Sequence, residues 1–336
     1  MRSNRGRKMK IYCHAPTKDD APSAYRGFGV ISELARCGIY SEFWNDFDFL
    51  KAKGFSALFM QRPDTPSQCE IIMVAKSMGM PVVIDYDDNL LDIPPHNKYY
   101  QHMEKNNPEY KDCVKFCLSE ADAVIVSTDA LKTEFEQYSN KITVIRNAFD
   151  DYVYTMRPFN KTKTVIWRGG DSHTKDLETY KEDIISLITA NEDFHFIFMG
   201  AGFPTYLKEL KSKNMTLKEP AYTYDFLNVL KDIKPSLIIV PLEDTSFNKC
   251  KSDCAKIEAI ASGALCISPN WAEWNYCPYT YDRSLFKSAN AILERIREFD
   301  PALIKEHRTM QDYIRQFRLL SKANIERAKV FNVLAR

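Results

Sequence analysis

The strongest constraint on this chain is a pattern that runs, stops and starts again. In the first half, short apolar runs rich in β-branched and aromatic residues recur: MKIYCH (9–14), FSALFMQR (55–62), PVVIDYDD (81–88), AVIVST (123–128) and KITVIRNAFD (141–150). Helix-type stretches separate them: YRGFGVISELARCG (25–38, stopped by Gly38), SQCEIIMVAKSMG (67–79), PEYKDCVKFCLSEAD (108–122) and DALKTEFEQYS (129–139, opening on a capping-type Asp129). Short β-type runs alternating with helices predict a parallel sheet covered on both faces. The stretch DYVYTMRPFNK (151–161) has turn residues and no apolar period. The pattern then restarts with strands at 162–170, 194–202, 236–242 and 264–268 and helices at 176–190, 224–233 and in NKCKSDCAKIEAIASG (248–263). Residues 284–298 and 301–335 read as helices.

The expected fold is therefore α/β, with two Rossmann-like domains facing a central cleft and helices at the C-terminus. The expected domains are 9–152, 153–300, and a helical segment 301–336 that could pack back on the first domain. Ligands of such sheets bind at the carboxyl ends of the strands. A chain of 336 residues is long enough for two ordinary domains, and 45% hydrophobic with 27% charged residues is a globular composition. A net charge of +1 argues against coating nucleic acid by bulk electrostatics, though a local basic patch stays open. No apolar run approaches the roughly 18 residues of a membrane span. The basic start MRSNRGRKMK has no apolar h-region, so it reads as a solvated tail or a phosphate-contacting arm, and the chain as cytoplasmic.

Nine scattered cysteines in such a chain read as reduced thiols. Cys113/Cys117 and Cys250/Cys254 each share a helix face. Structural zinc wants four ligands with closer loop spacing, so buried free thiols are expected.

In 248–263, read as one helix, Lys251, Ala255, Glu258 and Ser262 share a face, while Cys254, Ile257 and Ala261 suit the core. Lys251 and Glu258 lie two turns apart, about 10 Å. A cation near a helix start and an acid two turns in can hold a phosphate and a sugar hydroxyl, and the helix amino end favours an anion. The plainer alternative is a surface helix with solvated charges. In WRGGDSH, Gly169 and Gly170 permit positive φ and close approach, and Arg168 can grip a phosphate with two donors. His173 belongs to the same turn, and Lys175 lies seven residues beyond Arg168. MGAG (199–202) repeats the strand-then-glycine device. Neither G-x4-G-K-[ST] nor G-x-G-x-x-G is present.

KIEAIASGALCIS resembles the E-A-x-A-x-G-x-P-V-[IV]-[AS] segment of glycosyltransferases with the two-Rossmann GT-B fold. ADAVIVSTDALKTEF with ITVIRNAFD resembles their interdomain segment. PVVIDYDDNLLDIPPHN resembles the D-x-D-D segment of some bacterial and phage members, and PLEDTSFNKCKS the approach to the donor helix. The matches span roughly 81 to 268. The resemblance implies a nucleotide-diphospho-sugar donor, with Glu258 on its ribose and Arg168, Lys175 and Lys251 facing its diphosphate. The family's E-x7-E motif would put an acid where this chain has Cys250, so Asn248 or Ser252 would have to substitute at the transferred sugar.

An apolar strand ending in Asp85, Asp87 and Asp88 can be read in two ways. Asp85 and Asp87 could hold a divalent cation, as in GT-A enzymes. In a GT-B enzyme no metal or other cofactor is required, because cationic side chains and a helix amino end neutralise the leaving diphosphate. Asp87 or Asp88 is then the general base for an acceptor hydroxyl, with Asp85 capping or bracing the loop. The polar stretch 15–29 is expected to be a cleft-lining loop that offers Tyr25 and Arg26 to acceptor or phosphate, with His96 nearby. The expected activity is glycosyl transfer to a hydroxyl of a glycan or, as in phage enzymes working in a host cytoplasm, of a hydroxymethylated DNA base. The rivals are a non-catalytic nucleotide- or partner-binding Rossmann pair and a nucleotide-sugar epimerase of the same fold.

Overall fold

A computed structural model describes residues 9–14, 20–275 and 278–334. The basic start and residues 15–19 of the expected 15–29 loop lie outside the described residues. The chain builds two six-stranded sheets, and every strand pairing within them is parallel. The first holds β1 (Met9–His14), β2 (Ile39–Trp44), β3 (Ala57–Gln61), β4 (Val82–Tyr86), β5 (Ala123–Val126) and β6 (Ile142–Val144), in the order β2-β1-β3-β4-β5-β6. The second holds β7 (Thr164–Gly169), β8 (His195–Gly200), β9 (Met215–Lys218), β10 (Leu237–Ile239), β11 (Leu265–Pro269) and β12 (Thr280–Tyr281), in the order β12-β11-β10-β7-β8-β9. Strand order reverses between β1 and β3 in one sheet and between β7 and β10 in the other. At such switch points the loops diverge and leave a crevice for a ligand.

Buried strands such as Ala57–Gln61 and Val82–Tyr86 bury every residue, because helices cover both faces. Apolar clusters form on both sides of each sheet. The C-terminal stretch 301–335 is not one helix but two. Ala302–Phe317 packs on the second sheet through Leu303, Met310 and Ile314, while Leu320–Leu334 packs on the first through Leu320, Ala328 and Phe331. Arg318 lies at the break. Its buried guanidinium bonds Asn147 O at 2.9 Å and grips the Asp253 carboxylate with both terminal nitrogens.

Three other sequence expectations change. The 25–38 run is broken into Ala21–Arg26, Phe28–Ile31 and a 3-10 segment Ser32–Cys37, which Gly38 closes at φ 79°. A Cβ at Gly27 would stand 2.0 Å from Gln61 Oε1, so the chain must turn there against β3. The helix Asp129–Phe135 is capped by Thr128, whose hydroxyl accepts the Leu131 amide, rather than by Asp129. The 248–263 stretch holds a short helix Ser246–Lys249, a break at 251–253, and a second helix Cys254–Ser262. Lys251 is therefore not on the Glu258 helix, and that helix is buried from Ala255 to Ser262, not a solvated surface element. Among the described residues no helix is long and apolar enough to cross a membrane.

Removing one member of a buried ion pair strands the other charge. Arg318→Ala is expected to lower the unfolding free energy by about 3–5 kcal/mol. Arg318→Ala/Asp253→Ala should lose less than the sum of the single variants, as read by urea denaturation.

Candidate functional site

β7 ends in Arg168 and Gly169 and pairs with β8 so that Gly169 faces Gly200. A Cβ on Gly200, whose φ is 148°, would lie 1.8 Å from Gly169 O. A Cβ on Gly169 would meet the Trp167 ring at 2.7 Å and His173 Cδ2 at 3.1 Å. The positive φ expected at the 169–170 pair is absent from Gly170, at −83°, and occurs instead at Gly200 and Gly202 in MGAG. Gly169 is required by crowding, whereas Gly170 has open space on its Cβ side.

The helix Cys254–Ser262 brings Glu258 beneath this turn, almost buried. Arg168 Nε donates to Glu258 Oε2 at 2.8 Å, and Arg168 Nη2 lies 2.5 Å from the same oxygen. Tyr25, from the first sheet's side, donates its hydroxyl to Oε1 at 2.5 Å. Burial and the Glu258 charge push the Tyr25 phenol well up, so it stays a donor. His173 Nδ1 lies 2.8 Å from Asp176 Oδ2.

Across the cavity, the loop after β4 presents Asp87 and Asp88. Arg62, just past β3, holds a left-handed φ of 50°, a conformation uncommon outside glycine. Its Nε lies 3.4 Å from Asp87 Oδ1 and its Nη2 3.1 Å from Asp88 Oδ2. Lys251 Nζ reaches Asp88 Oδ1 at 3.5 Å. The two acids therefore differ. Burial pushes the Asp87 carboxyl up to about 6, with Arg62 opposing the rise and Asp88 adding to it. For Asp88 burial also pushes upward, but Lys251 and Arg62 outweigh it and hold the carboxyl below its usual range. Asp87 Oδ1 is buried and makes no hydrogen bond.

These groups line one cavity of about 330 Å³, in the range of small-molecule sites. Of the residues the sequence singled out, it gathers Tyr25, Asp87, Asp88, Arg168, Gly169 and Gly170, together with His173, Lys251, Ser252 and Glu258. Four stand elsewhere. Arg26 is fully buried and faces away from the cavity, with Nε and Nη2 each 2.8 Å from an oxygen of Asp85. Those two bonds occupy both carboxylate oxygens of Asp85. Lys175 is half-exposed, outside the cavity lining, and pairs with Glu178 at 3.6 Å. His96 lies outside the lining, 3.7 Å from Glu243. Asn248 is buried behind the wall, donating to Asp176 Oδ1 at 2.9 Å and to Glu243 O at 3.0 Å.

The sequence reading missed Arg62, Asn147 and Asp176. The position of Arg62 at a strand's carboxyl end and the three-residue spacing of His173 and Asp176 were the available signals. Asn147 lines the cavity and donates to Ser252 Oγ at 2.7 Å. Aromatic rings of Trp167, Phe226 and Trp274 complete an apolar part of the lining. The eight cysteines described are free thiols. Burial raises Cys113, Cys250 and Cys254 to about 12. Among the described residues no three His, Cys, Asp or Glu side chains gather as a metal-binding set.

No protein-family profile matches the chain, and no curated protein matches it in sequence. Solved structures do match in fold. Anabaena HepE, solved in complex with UDP, superposes with a TM-score of 0.63 at 14% identity, over 97% of this chain and 100% of that one. An alpha-glucosyltransferase in complex with UDP and a 13-mer DNA containing a HMU base gives 0.63 at 12% identity over the same shares. UDP-GlcNAc 2-epimerase from Neisseria meningitidis, bound to UDP-GlcNAc, gives 0.53 at 11% identity, over 96% and 99%. The chain has the GT-B glycosyltransferase fold.

The two crowded strands generate a stability test. Gly200→Ala should destabilise the protein by about 1–3 kcal/mol, the scale of a side chain forced into filled space. Gly170→Ala should leave the melting temperature unchanged, and thermal denaturation of the two variants side by side checks both.

Proposed function

We propose that this chain is a glycosyltransferase that moves a sugar from a nucleoside-diphospho-sugar, of the UDP type, to an acceptor hydroxyl. The observation that carries the reading is the pairing of opposites across one cavity. On the second sheet's side, Arg168, Lys251 and the amino end of the Cys254–Ser262 helix converge beside the β7/β10 switch point. On the first sheet's side stands Asp87, a carboxylate with one buried oxygen lacking a hydrogen bond. The GT-B fold, shared with HepE and with an alpha-glucosyltransferase, both solved in complex with UDP, supports the same assignment.

In this reading the acceptor oxygen attacks the sugar's anomeric carbon as the bond from that carbon to the diphosphate breaks. The acceptor proton passes to the Asp87 carboxylate. The negative charge that grows on the leaving nucleoside diphosphate is met by Arg168, Lys251 and the first amides of the helix, which have no intrahelical partner. Glu258, already oriented by Arg168 and Tyr25, takes the donor ribose. Asp88 is balanced by Lys251 and Arg62, which makes it the poorer proton acceptor of the two acids. The acceptor is a hydroxyl compound, a glycan or a hydroxymethylated DNA base. An epimerase of the same fold needs no acceptor, so the acceptor-facing base favours transfer over epimerisation. Mass spectrometry of products from a UDP-sugar panel, with and without such acceptors, tests the assignment; a sugar isomer formed without acceptor would overturn it.

Asp87→Asn should lower kcat by at least about 100-fold, the lower end of general-base help, with donor affinity within a few-fold. Glu258→Ala should instead weaken donor binding by about 1–3 kcal/mol in a calorimetric titration. The base must be ionised to work. The wild-type kcat/KM should therefore rise as pH increases through about 6 and level off above it. Because the folded-state value is raised from 3.8 to about 6, this carboxyl takes stability away as pH climbs between those two values, where the unfolded chain ionises first, and the loss is complete above them. Asp87→Asn should then not lower the melting temperature at neutral pH.

The cations the chemistry needs are side chains of this chain. Transfer should proceed at full rate in EDTA, and a loss restored by Mn²⁺ would overturn the metal-independent reading.

A further inference from the structure

Asp176 has no place in the scheme above, yet it is among the most heavily bonded side chains at the cavity's edge. It sits on the helix Thr174–Thr179 and is 4% exposed. Its Oδ2 contacts His173 Nδ1 at 2.8 Å, and its Oδ1 accepts the Glu243 amide at 2.8 Å and Asn248 Nδ2 at 2.9 Å. We propose that Asp176 is a positioning residue that presents His173 to the donor's phosphates, and that this pair, with Lys251, does there what the sequence pattern assigns to Lys175. The proposal rests on the donor-site reading above and names the groups that hold the diphosphate.

A carboxylate only accepts hydrogen bonds, so its contact requires the imidazole hydrogen on Nδ1. The remaining ring nitrogen, Nε2, is then the atom left for a ligand. The ring leans over Gly169, where its Cδ2 would lie 3.1 Å from an added Cβ, and it lines the cavity. Its charge also helps hold the Asp88 carboxyl down, which places it on the same patch as Lys251. A protonated imidazole bonded to Asp176 through Nδ1 can donate from Nε2 to a phosphate oxygen. Lys175, two residues on, is on the outer side of the turn with Glu178. Asp176 has a second effect. Through Glu243 and Asn248 it ties down the segment that leads into Lys251 and Ser252, so one carboxylate sets the cavity wall on both sides of the phosphate position.

The test is calorimetric titration of UDP into the full chain, as wild type, His173→Ala, Lys175→Ala, Asp176→Asn and His173→Ala/Asp176→Asn. Loss of one charge-assisted hydrogen bond predicts about tenfold or more weaker binding for His173→Ala, and less than about twofold for Lys175→Ala. Asp176→Asn should weaken binding alone and clearly less on the His173→Ala background, where only its hold on Glu243 and Asn248 is left to lose, a coupling that a merely structural role would not produce. Wild-type affinity should also fall more steeply with rising pH than that of His173→Ala. If Lys175→Ala carries the loss while His173→Ala is silent, or if the Asp176→Asn effect is additive, the assignment is overturned while the donor site stands. If the wild type binds no nucleoside diphosphate, the donor-site reading fails and takes the assignment with it. Should Asp176→Asn not fold, the contrast between His173→Ala and Lys175→Ala decides.

Discussion

The cleft depends on a buried polar seam centred on Asn147. Its Oδ1 accepts from Arg26 Nη1 at 3.1 Å, and its Nδ2 donates to Ser252 Oγ at 2.7 Å and approaches Cys254 Sγ at 3.0 Å. Arg26 is fully buried and grips Asp85 with two 2.8 Å bonds, while Arg318 reaches Asn147 O and clamps Asp253 at the start of the Glu258 helix. Buried ion pairs contribute little net stability, but they are very intolerant of a missing partner. What such a chain of bonds supplies is position. It ties the end of β4, which carries the acids, to the helix that carries Glu258, although the two lie in different sheets.

The seam also explains the division of labour among three neighbouring acids. Asp85 is spent on Arg26 and never reaches the cavity. Asp88 meets two cations and is held ionised. Asp87 is left with one ion-pair contact at 3.4 Å and an oxygen without a hydrogen bond. Three carboxyls within four residues thus acquire three electrostatic characters from what surrounds them.

Much of the architecture was legible because it is written in local hydrophobic period. The alternation of apolar runs and helices, its break near 151–161 and its restart all survive in the two parallel sheets, and the strand ends point to the right loops. The strands not read from sequence are β2, β9 and β12. The first two are largely half-exposed and polar, and the third has two residues, so none carries a long apolar run. The site was less legible, because its errors are of register and burial. Counting straight through 248–263 puts Lys251 on a helix face, but the helix is broken at 251–253, beside the Asp253–Arg318 contact. Arg26 looked like a loop cation, and tertiary packing turned it into a core residue. Asp176 carries no signal in the local pattern, because its partners come both from residues close to it in sequence and from some seventy positions away.

Position 250 shows how the interdomain contact limits what the site can use. The resemblance to GT-B enzymes implies an acid there, but Cys250 is 2% exposed and packs with Phe247 into the first sheet's apolar cluster. Its carbonyl accepts the Thr128 hydroxyl at 2.9 Å. A carboxylate in that place would be buried with the Glu134, Asp88 and Asp92 charges near it, at a cost of several kcal/mol. The thiol, neutral because burial lifts it to about 12, fits. Of the two residues that could take over the acid's hydroxyl contacts, Asn248 has its amide committed to Asp176 and Glu243. Ser252 alone lines the cavity, already oriented by Asn147. Under the proposed transferase reading, the hydroxyl contacts that an acid at 250 would make fall to the neutral Ser252 hydroxyl. That exchange follows from using 247–250 as the surface that docks one sheet's loops against the other's core.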